Sequence, residues 1–183
     1  HRIDLYVAND GTANFLFRNR GGWKFEEIGL TAGVAGNAEG GFQAGMGLAC
    51  GDFNRDGMTD LVVTNFYAES STYYQNLGAG LFADRTASAG LLAPTRGLLG
   101  FGTAFLDADN DGWLDLATTN GHVNDLRPIF PYAMPAQLLR GGPDGRFIDA
   151  TAQAGDAWST PRVGRGLAAA DLDNDGRVDV VIL

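Results

Sequence analysis

The stretch Asp107-Ala108-Asp109-Asn110-Asp111-Gly112-Trp113-Leu114-Asp115 sets carboxylates at positions 1, 3, 5 and 9 of a short loop, with glycine at position 6. Alternate spacing turns the side chains at 1, 3 and 5 toward one point. The glycine permits a sharp bend, position 7 can offer its backbone carbonyl, and position 9 closes the ring. An all-oxygen cage of this kind suits a hard divalent cation. Calcium fits better than magnesium, which takes fewer protein ligands and keeps more of its water.

The same spacing returns at Asp52-Phe53-Asn54-Arg55-Asp56-Gly57-Met58-Thr59-Asp60 and at Asp171-Leu172-Asp173-Asn174-Asp175-Gly176-Arg177-Val178-Asp179. Ile3-Asp4-Leu5-Tyr6-Val7 matches the exit of a fourth copy. The expected ligands are therefore Asp52, Asn54, Asp56 and Asp60 in the first loop, Asp107, Asp109, Asp111 and Asp115 in the second, and Asp171, Asp173, Asp175 and Asp179 in the third. Met58, Trp113 and Arg177 contribute through their backbone carbonyls. Asn54 brings one charge fewer to its loop, so the first site should bind the ion more weakly than the other two.

The flanks decide the architecture around the loops. An EF-hand needs a bidentate Glu at position 12 and a helix on each side. Here position 12 is Val63, Thr118 or Ile182, and the exits read Leu61-Val62-Val63-Thr64, Leu116-Ala117-Thr118-Thr119 and Val180-Val181-Ile182-Leu183. Such runs, rich in β-branched residues and short, predict buried strands, so each loop is a hairpin connection. The entries are led by glycine: Gly45-Met46-Gly47, Gly100-Phe101-Gly102 and Gly164-Arg165-Gly166. That composition suits a strand packed closely against neighbouring backbone.

A second hairpin recurs outside the first. Thr72 to Asn76 turns at Leu77-Gly78-Ala79-Gly80 into Leu81 to Thr86, and Gln137 to Arg140 turns at Gly141 to Gly145 into Arg146 to Thr151. Asn14 to Ile28 gives a looser version, with Phe25 in the place of Phe82 and Phe147. Four short antiparallel strands per unit, repeated, predict the blades of a β-propeller, whose cores are the interfaces between blades. Phe53, Leu61, Val63, Phe105, Leu116, Leu172 and Val180 are assigned to those interfaces. The fold class is thus all-β, a propeller fragment of about three four-stranded blades. Its expected divisions are 1–41 (end of a blade and connection), 42–99 (blade), 100–163 (blade) and 164–183 (start of a blade). The chain reads as a piece of something larger, to be completed by missing blades of the same chain or of another copy.

Composition narrows the functional classes. The 183 residues carry a formal charge of −9, and eleven of the 22 acidic residues lie in the three loops. Three divalent ions would offset most of that charge. With no basic stripe to neutralise phosphates, nucleic acid is excluded as a partner. No run is long enough for a membrane span, so no membrane insertion is expected in this segment. The lone Cys50 excludes an intrachain disulfide and is expected to be a small core residue.

The loops with their following strands, and the Gly-x-Gly stretches before them, resemble the FG-GAP (VCBS-type) repeats of integrin α-chain and related seven-bladed propellers. Tyr74-Gln75-Asn76, Phe82-Ala83-Asp84-Arg85-Thr86, Ala89-Gly90-Leu91 and Thr119-Asn120-Gly121-His122-Val123 are more closely similar to the cartilage acidic protein and ASPIC/UnbV group. The resemblance implies a seven-bladed ring, calcium in the hairpin loops, and an extracellular, periplasmic or cell-surface module for recognition or adhesion. A protein or glycan is the implied partner. The excursion from Asn120 to Pro135, with His122, Arg127, Phe130 and Tyr132, is the candidate surface for it.

The rival class is a propeller-based enzyme, a lyase or hydrolase with its site in the channel or in missing parts. Against it, the only histidines are His1 and His122, and no serine or cysteine stands in a recognisable nucleophile setting. The chain is therefore read as a binding module rather than an enzyme, with about three structural calcium ions.

Overall fold

The structure, a computed structural model, describes residues 2–183, so His1 lies outside the described residues. Strands β1 (Leu5–Val7), β2 (Phe15–Gly21) and β3 (Lys24–Glu27) form a three-stranded sheet. Strands β4 (Gly45–Gly51), β5 (Asp60–Asn65), β6 (Thr72–Gly78) and β7 (Leu81–Asp84) form a four-stranded sheet in chain order. Strands β8 (Gly100–Leu106), β9 (Asp115–Asn120), β10 (Gln137–Arg140) and β11 (Ile148–Asp149) repeat it. Strands β12 (Leu167–Ala170) and β13 (Asp179–Ile182) pair as a ribbon. Every pairing is antiparallel, so the chain is all-β. One-turn helices α1 (Gly29–Ala32), α2 (Leu92–Thr95) and α3 (Asp156–Ser159) lie in connections that the sequence reads only as turns.

The two-residue period of β5 and β6 explains why the sheets stack. Leu61, Val63 and Tyr74 point toward the first sheet, where they meet Leu16, Ala32 and Val34. Val62 and Tyr73 point the other way, into a cluster with Leu116, Leu139 and Phe147. All five residues are buried. A sheet with apolar side chains on both faces needs a neighbour on each, and full burial of such a side chain is worth about 1.5–3 kcal/mol.

The glycine-led strands are where the sheets come nearest. β4, β8 and β12 lie beside one another across the sheet boundaries. A Cβ on Gly47 would overlap the carbonyl of Phe101, and one on Gly102 would stand 2.5 Å from the backbone nitrogen of Leu167. The Gly102 N–H donates to the Arg165 carbonyl at 2.8 Å. The Thr64 hydroxyl accepts the Gly47 N–H and donates to the Phe101 carbonyl, both at 2.8 Å. Close backbone approach is thus the reason for Gly-x-Gly.

Two expectations are corrected. Cys50 is exposed rather than a core residue. Alternation along β4 sends Ala49 into the cluster with Val62 and turns Cys50 toward the first sheet, where a cavity remains open. Leu172 is 62% exposed and belongs to neither buried cluster. Phe53, Leu61, Val63 and Leu116 are buried, and Phe105 packs against the second cluster while itself half-buried.

Candidate metal centre

Each acidic loop joins the first strand of its sheet to the second, as β4–β5, β8–β9 and β12–β13. Its shape is written by side chains that accept N–H groups of the loop itself. Asp107 accepts from Asp111 at 3.0 Å and Gly112 at 2.9 Å. Asp52 does the same with Asp56 and Gly57, at 3.0 and 2.9 Å, and Asp171 with Asp175 and Gly176, at 3.1 and 2.9 Å. Position 5 accepts the N–H of position 7 at 2.8 Å in all three loops. Arg55, Asn110 and Asn174 at position 4 have φ near 60°, and Gly57, Gly112 and Gly176 have φ of 84°. Two left-handed residues so close together wind the loop around its carboxylates. Asn tolerates that conformation better than a long side chain does.

Position 9 ties the loop to the sheet. In every loop one oxygen of this carboxylate accepts the N–H of position 2: Phe53 to Asp60 at 3.2 Å, Ala108 to Asp115 at 2.9 Å, Leu172 to Asp179 at 3.0 Å. The other oxygen of Asp60 accepts the Asn76 N–H at 2.8 Å, and that of Asp115 the Gly141 N–H at 2.9 Å, both from the end of the third strand. Asp60 also accepts the Tyr73 hydroxyl at 2.9 Å. Burial pushes the carboxyls of Asp60 and Asp115 above the usual carboxylate range, and these donors pull part of the way back.

The carboxylates of Asp107, Asp109 and Asp115 each place an oxygen within 4.8 Å of the others, and so do those of Asp171, Asp173 and Asp179. Two ligands of a single calcium ion, bound at about 2.3–2.6 Å, can stand no more than about 5 Å apart, so both triads fit one ion. Asp111 and Asp175 stand outside these triads, and their oxygens hold the position-7 N–H. No third acidic triad forms among the described residues. In the first loop, Asn54 presents its amide N–H to Asp56 at 2.8 Å. Tyr73 occupies an oxygen of Asp60 there. Met58, Trp113 and Arg177 at position 7 give their N–H groups to the position-5 carboxylate. Sequence spacing does not show that side-chain-to-backbone network, although Asx residues two apart around a glycine are its signal.

The FG-GAP-like repeat family matches residues 1–63 and 52–118, together more than half of the chain. The chain belongs to the FG-GAP-like repeat family. Both matched windows include the first loop, and the second ends just past the second loop, so the FG-GAP-like unit runs from one acidic hairpin to the next. The FG-GAP-like chain is also similar to cartilage acidic protein 1. It is 29% identical to the Homo sapiens protein over 184 residues, which is 98% of this chain and 25% of the relative. The Xenopus tropicalis protein is 29% identical over 187 residues (98% and 26%), and the Mus musculus protein 27% over 184 (98% and 26%). The chain therefore spans about a quarter of the length of these curated relatives.

The excursion between β9 and β10 turns most of its aromatics inward. His122 is buried, its ring stacked on Phe130 at 5.9 Å and edge-on to Phe66 at 5.4 Å. Its Nδ1 accepts the Asn124 N–H at 3.2 Å. Tyr67 meets Phe130 at 5.0 Å. These contacts clamp the excursion onto the preceding sheet, and the exposed apolar residues are instead Val123, Leu126 and Ile129. Arg127 is exposed and paired with Asp125, whose carboxyl it holds down to about 2.

Proposed function

We propose that this chain is a calcium-stiffened stretch of β-propeller that serves as a non-catalytic recognition module outside the cell. The carrying observation is the pair of carboxylate triads on hairpin corners, each with oxygens within 4.8 Å. Among the described residues the only ion pair to a loop carboxylate is the loose one of Arg177 with Asp175, at 4.0 Å. Like charges held this close repel unless a cation joins them. Calcium bound to Asp107, Asp109 and Asp115, or to Asp171, Asp173 and Asp179, turns that repulsion into a fixed corner, with Asp111, Asp175 and the carbonyls of Trp113 and Arg177 as further ligands. The first loop, through Asp52, Asn54, Asp56, Asp60 and the Met58 carbonyl, is the weaker third site.

The propeller reading is supported by first strands that lie side by side and by cores placed between sheets. The extracellular location and the recognition role rest on the FG-GAP-like membership and on the likeness to cartilage acidic protein 1. A protein or glycan partner on the exposed excursion follows from the same reading. Thermal unfolding with calcium and with chelator tests the centre of it. At a tenfold excess over Kd each filled site adds about 1.4 kcal/mol. A midpoint that ignores calcium would sink the proposal.

A further inference from the structure

The acidic loops and the outer hairpins lie at one end of the strands, and the turn between β5 and β6 lies at the other. At that far end a cleft of about 530 Å³ opens between the connection that follows α1, the β5–β6 turn and the segment running from the end of β7 into α2. Residues 66–71 make a short turn there, whereas the long excursion joins β9 to β10. Over the short turn the space stays open.

The walls are fixed by the chain's own polar groups. Asn37 Oδ1 accepts the N–H groups of Glu39 at 3.1 Å and Gly41 at 2.8 Å, and the Asn37 N–H reaches the Gly41 carbonyl at 2.9 Å. Asp84 pins this tight loop from outside, accepting the Ala38 N–H at 2.8 Å and the Thr86 N–H at 2.9 Å. Glu69 accepts the Ala44 N–H at 2.8 Å, and the Ala68 N–H donates to the Arg96 carbonyl at 3.1 Å. Ala68 is held at φ 69° in that turn, a strained conformation of the kind that concentrates at binding sites.

Other groups on the wall are left for a ligand. The Phe42 ring is 51% exposed, with Gly36 behind it, where an added Cβ would stand 3.2 Å from Phe42 Cδ1. Arg85 and Arg96 are exposed and make no ion pair among the described residues. The Asn37 amide keeps its N–H donors, and Glu39 is exposed on its loop. Donors and an acceptor thus surround one apolar ring. With Glu69 and Asp84 counted, the wall carries three carboxylates against two guanidiniums, so a charged ligand of either sign meets a like charge. A hydroxyl group, which both donates and accepts, meets no such conflict. Peptide capture calls for a free strand edge or a row of apolar anchors. Here β6, whose first residue lines the cleft, is paired on both sides, and Phe42 and Leu92 are the exposed large apolar residues of the wall.

We propose that this cleft binds a neutral saccharide. The apolar face of one sugar ring lies on Phe42, and its hydroxyl groups accept from Arg85, Arg96 and the Asn37 amide and donate to Glu39. The volume is that of an ordinary small-ligand site. Neither the ion nor the excursion takes part, so the inference stands or falls apart from the calcium reading.

The test reads the 183-residue chain, in calcium buffer, on an array of neutral, sialylated and sulfated oligosaccharides beside an array of peptides. Saturable binding to neutral members is expected. By calorimetry on the best of these, Phe42→Ala and Arg96→Gln should each weaken Kd by about tenfold at unchanged unfolding midpoints. Phe42→Trp keeps a ring and should bind at least as tightly as the parent. Arg146→Gln, at an exposed arginine of the third sheet's outer hairpin, should keep the parental affinity. Binding confined to the sialylated and sulfated members, binding to peptides alone, or no binding at all overturns the proposal. Parental affinity in both Phe42→Ala and Arg96→Gln also overturns it, because the saccharide then sits elsewhere.

Discussion

The loop at 107–115 and the loop at 171–179 are the same object in two settings. Their internal hydrogen bonds agree within 0.1 Å, and each gathers a carboxylate triad. Yet Asp115 is buried and accepts a third-strand N–H, whereas Asp179 is exposed and holds only its own loop. The loop's form is therefore a local code, written by Asx side chains over nine residues. Its anchorage is a tertiary property, supplied by the strand two places along the sheet.

The largest expected effect breaks that comparison open. Asp115→Ala orphans the N–H groups of Ala108 and Gly141, the latter in a buried setting, and each unsatisfied donor costs about 1–3 kcal/mol, for about 2–6 in all. Asp179→Ala exposes one donor to water and should cost less than about 1 kcal/mol. Urea unfolding of both variants in chelator measures the difference. Equal losses would show that the third strand does not anchor the loop.

Tyr73→Phe sharpens the same point in the first loop. Burial, and then the charge of Asp60, push the Tyr73 hydroxyl well above its ordinary value. It therefore stays protonated at neutral pH and donates to Asp60. Removing a hydrogen bond to a charged group costs about 1.5–3 kcal/mol. The sheet of β8–β11 has Leu138 at this place and offers no such donor. Unfolding midpoints of Tyr73→Phe and wild type decide the matter, and coincident curves would remove Tyr73 from the anchorage.

Much of this was legible in the sequence because it is local. The 1, 3, 5, 9 spacing, the glycine at position 6 and the β-branched exits fix hairpins at Asp52, Asp107 and Asp171, and strands stand on both sides of each. The alternation at Leu61, Val62 and Val63 announces a sheet buried on both faces. What escaped depends on partners distant in sequence. Cys50 and Ala49 differ in exposure only because of what lies opposite β4, and nothing near Leu172 tells that it stays exposed. The link from Tyr73 to Asp60 spans thirteen residues and follows from the β5–β6 register, which composition does not set. The inward turn of His122 required Phe66 of the preceding sheet.

If the loop is a local code, cation binding should not distinguish the anchored copy from the exposed one. Asp109→Ala and Asp173→Ala are then expected to remove equal shares of the calcium-dependent stabilisation, about 1.4 kcal/mol each at a tenfold excess over Kd. Calorimetric titration of the two variants reads this as the loss of one site from each. If Asp173→Ala loses nothing, the exposed loop is too loosely held to bind, and anchorage governs affinity as well as stability.

The smallest effect concerns how neighbouring loops are joined. Arg55, at position 4 of the first loop, lays its guanidinium over the Trp113 ring of the second at 4.8 Å. Position 4 of the second loop is Asn110, too short to repeat that reach toward the third. The middle loop is thus clasped by its predecessor as well as anchored by its own sheet, and the last loop has neither. A partly exposed contact of a cation with an aromatic face contributes about 0.5–1 kcal/mol. A double-mutant cycle on Arg55→Ala and Trp113→Ala isolates it, since each variant alone also changes loop propensity at a residue of its own. Relieving the left-handed φ of 60° at Arg55 changes nothing here, because alanine is strained there too and that cost cancels in the cycle. A coupling of zero would leave the loops energetically independent, and the anchorage of the middle loop would then belong to its third strand alone.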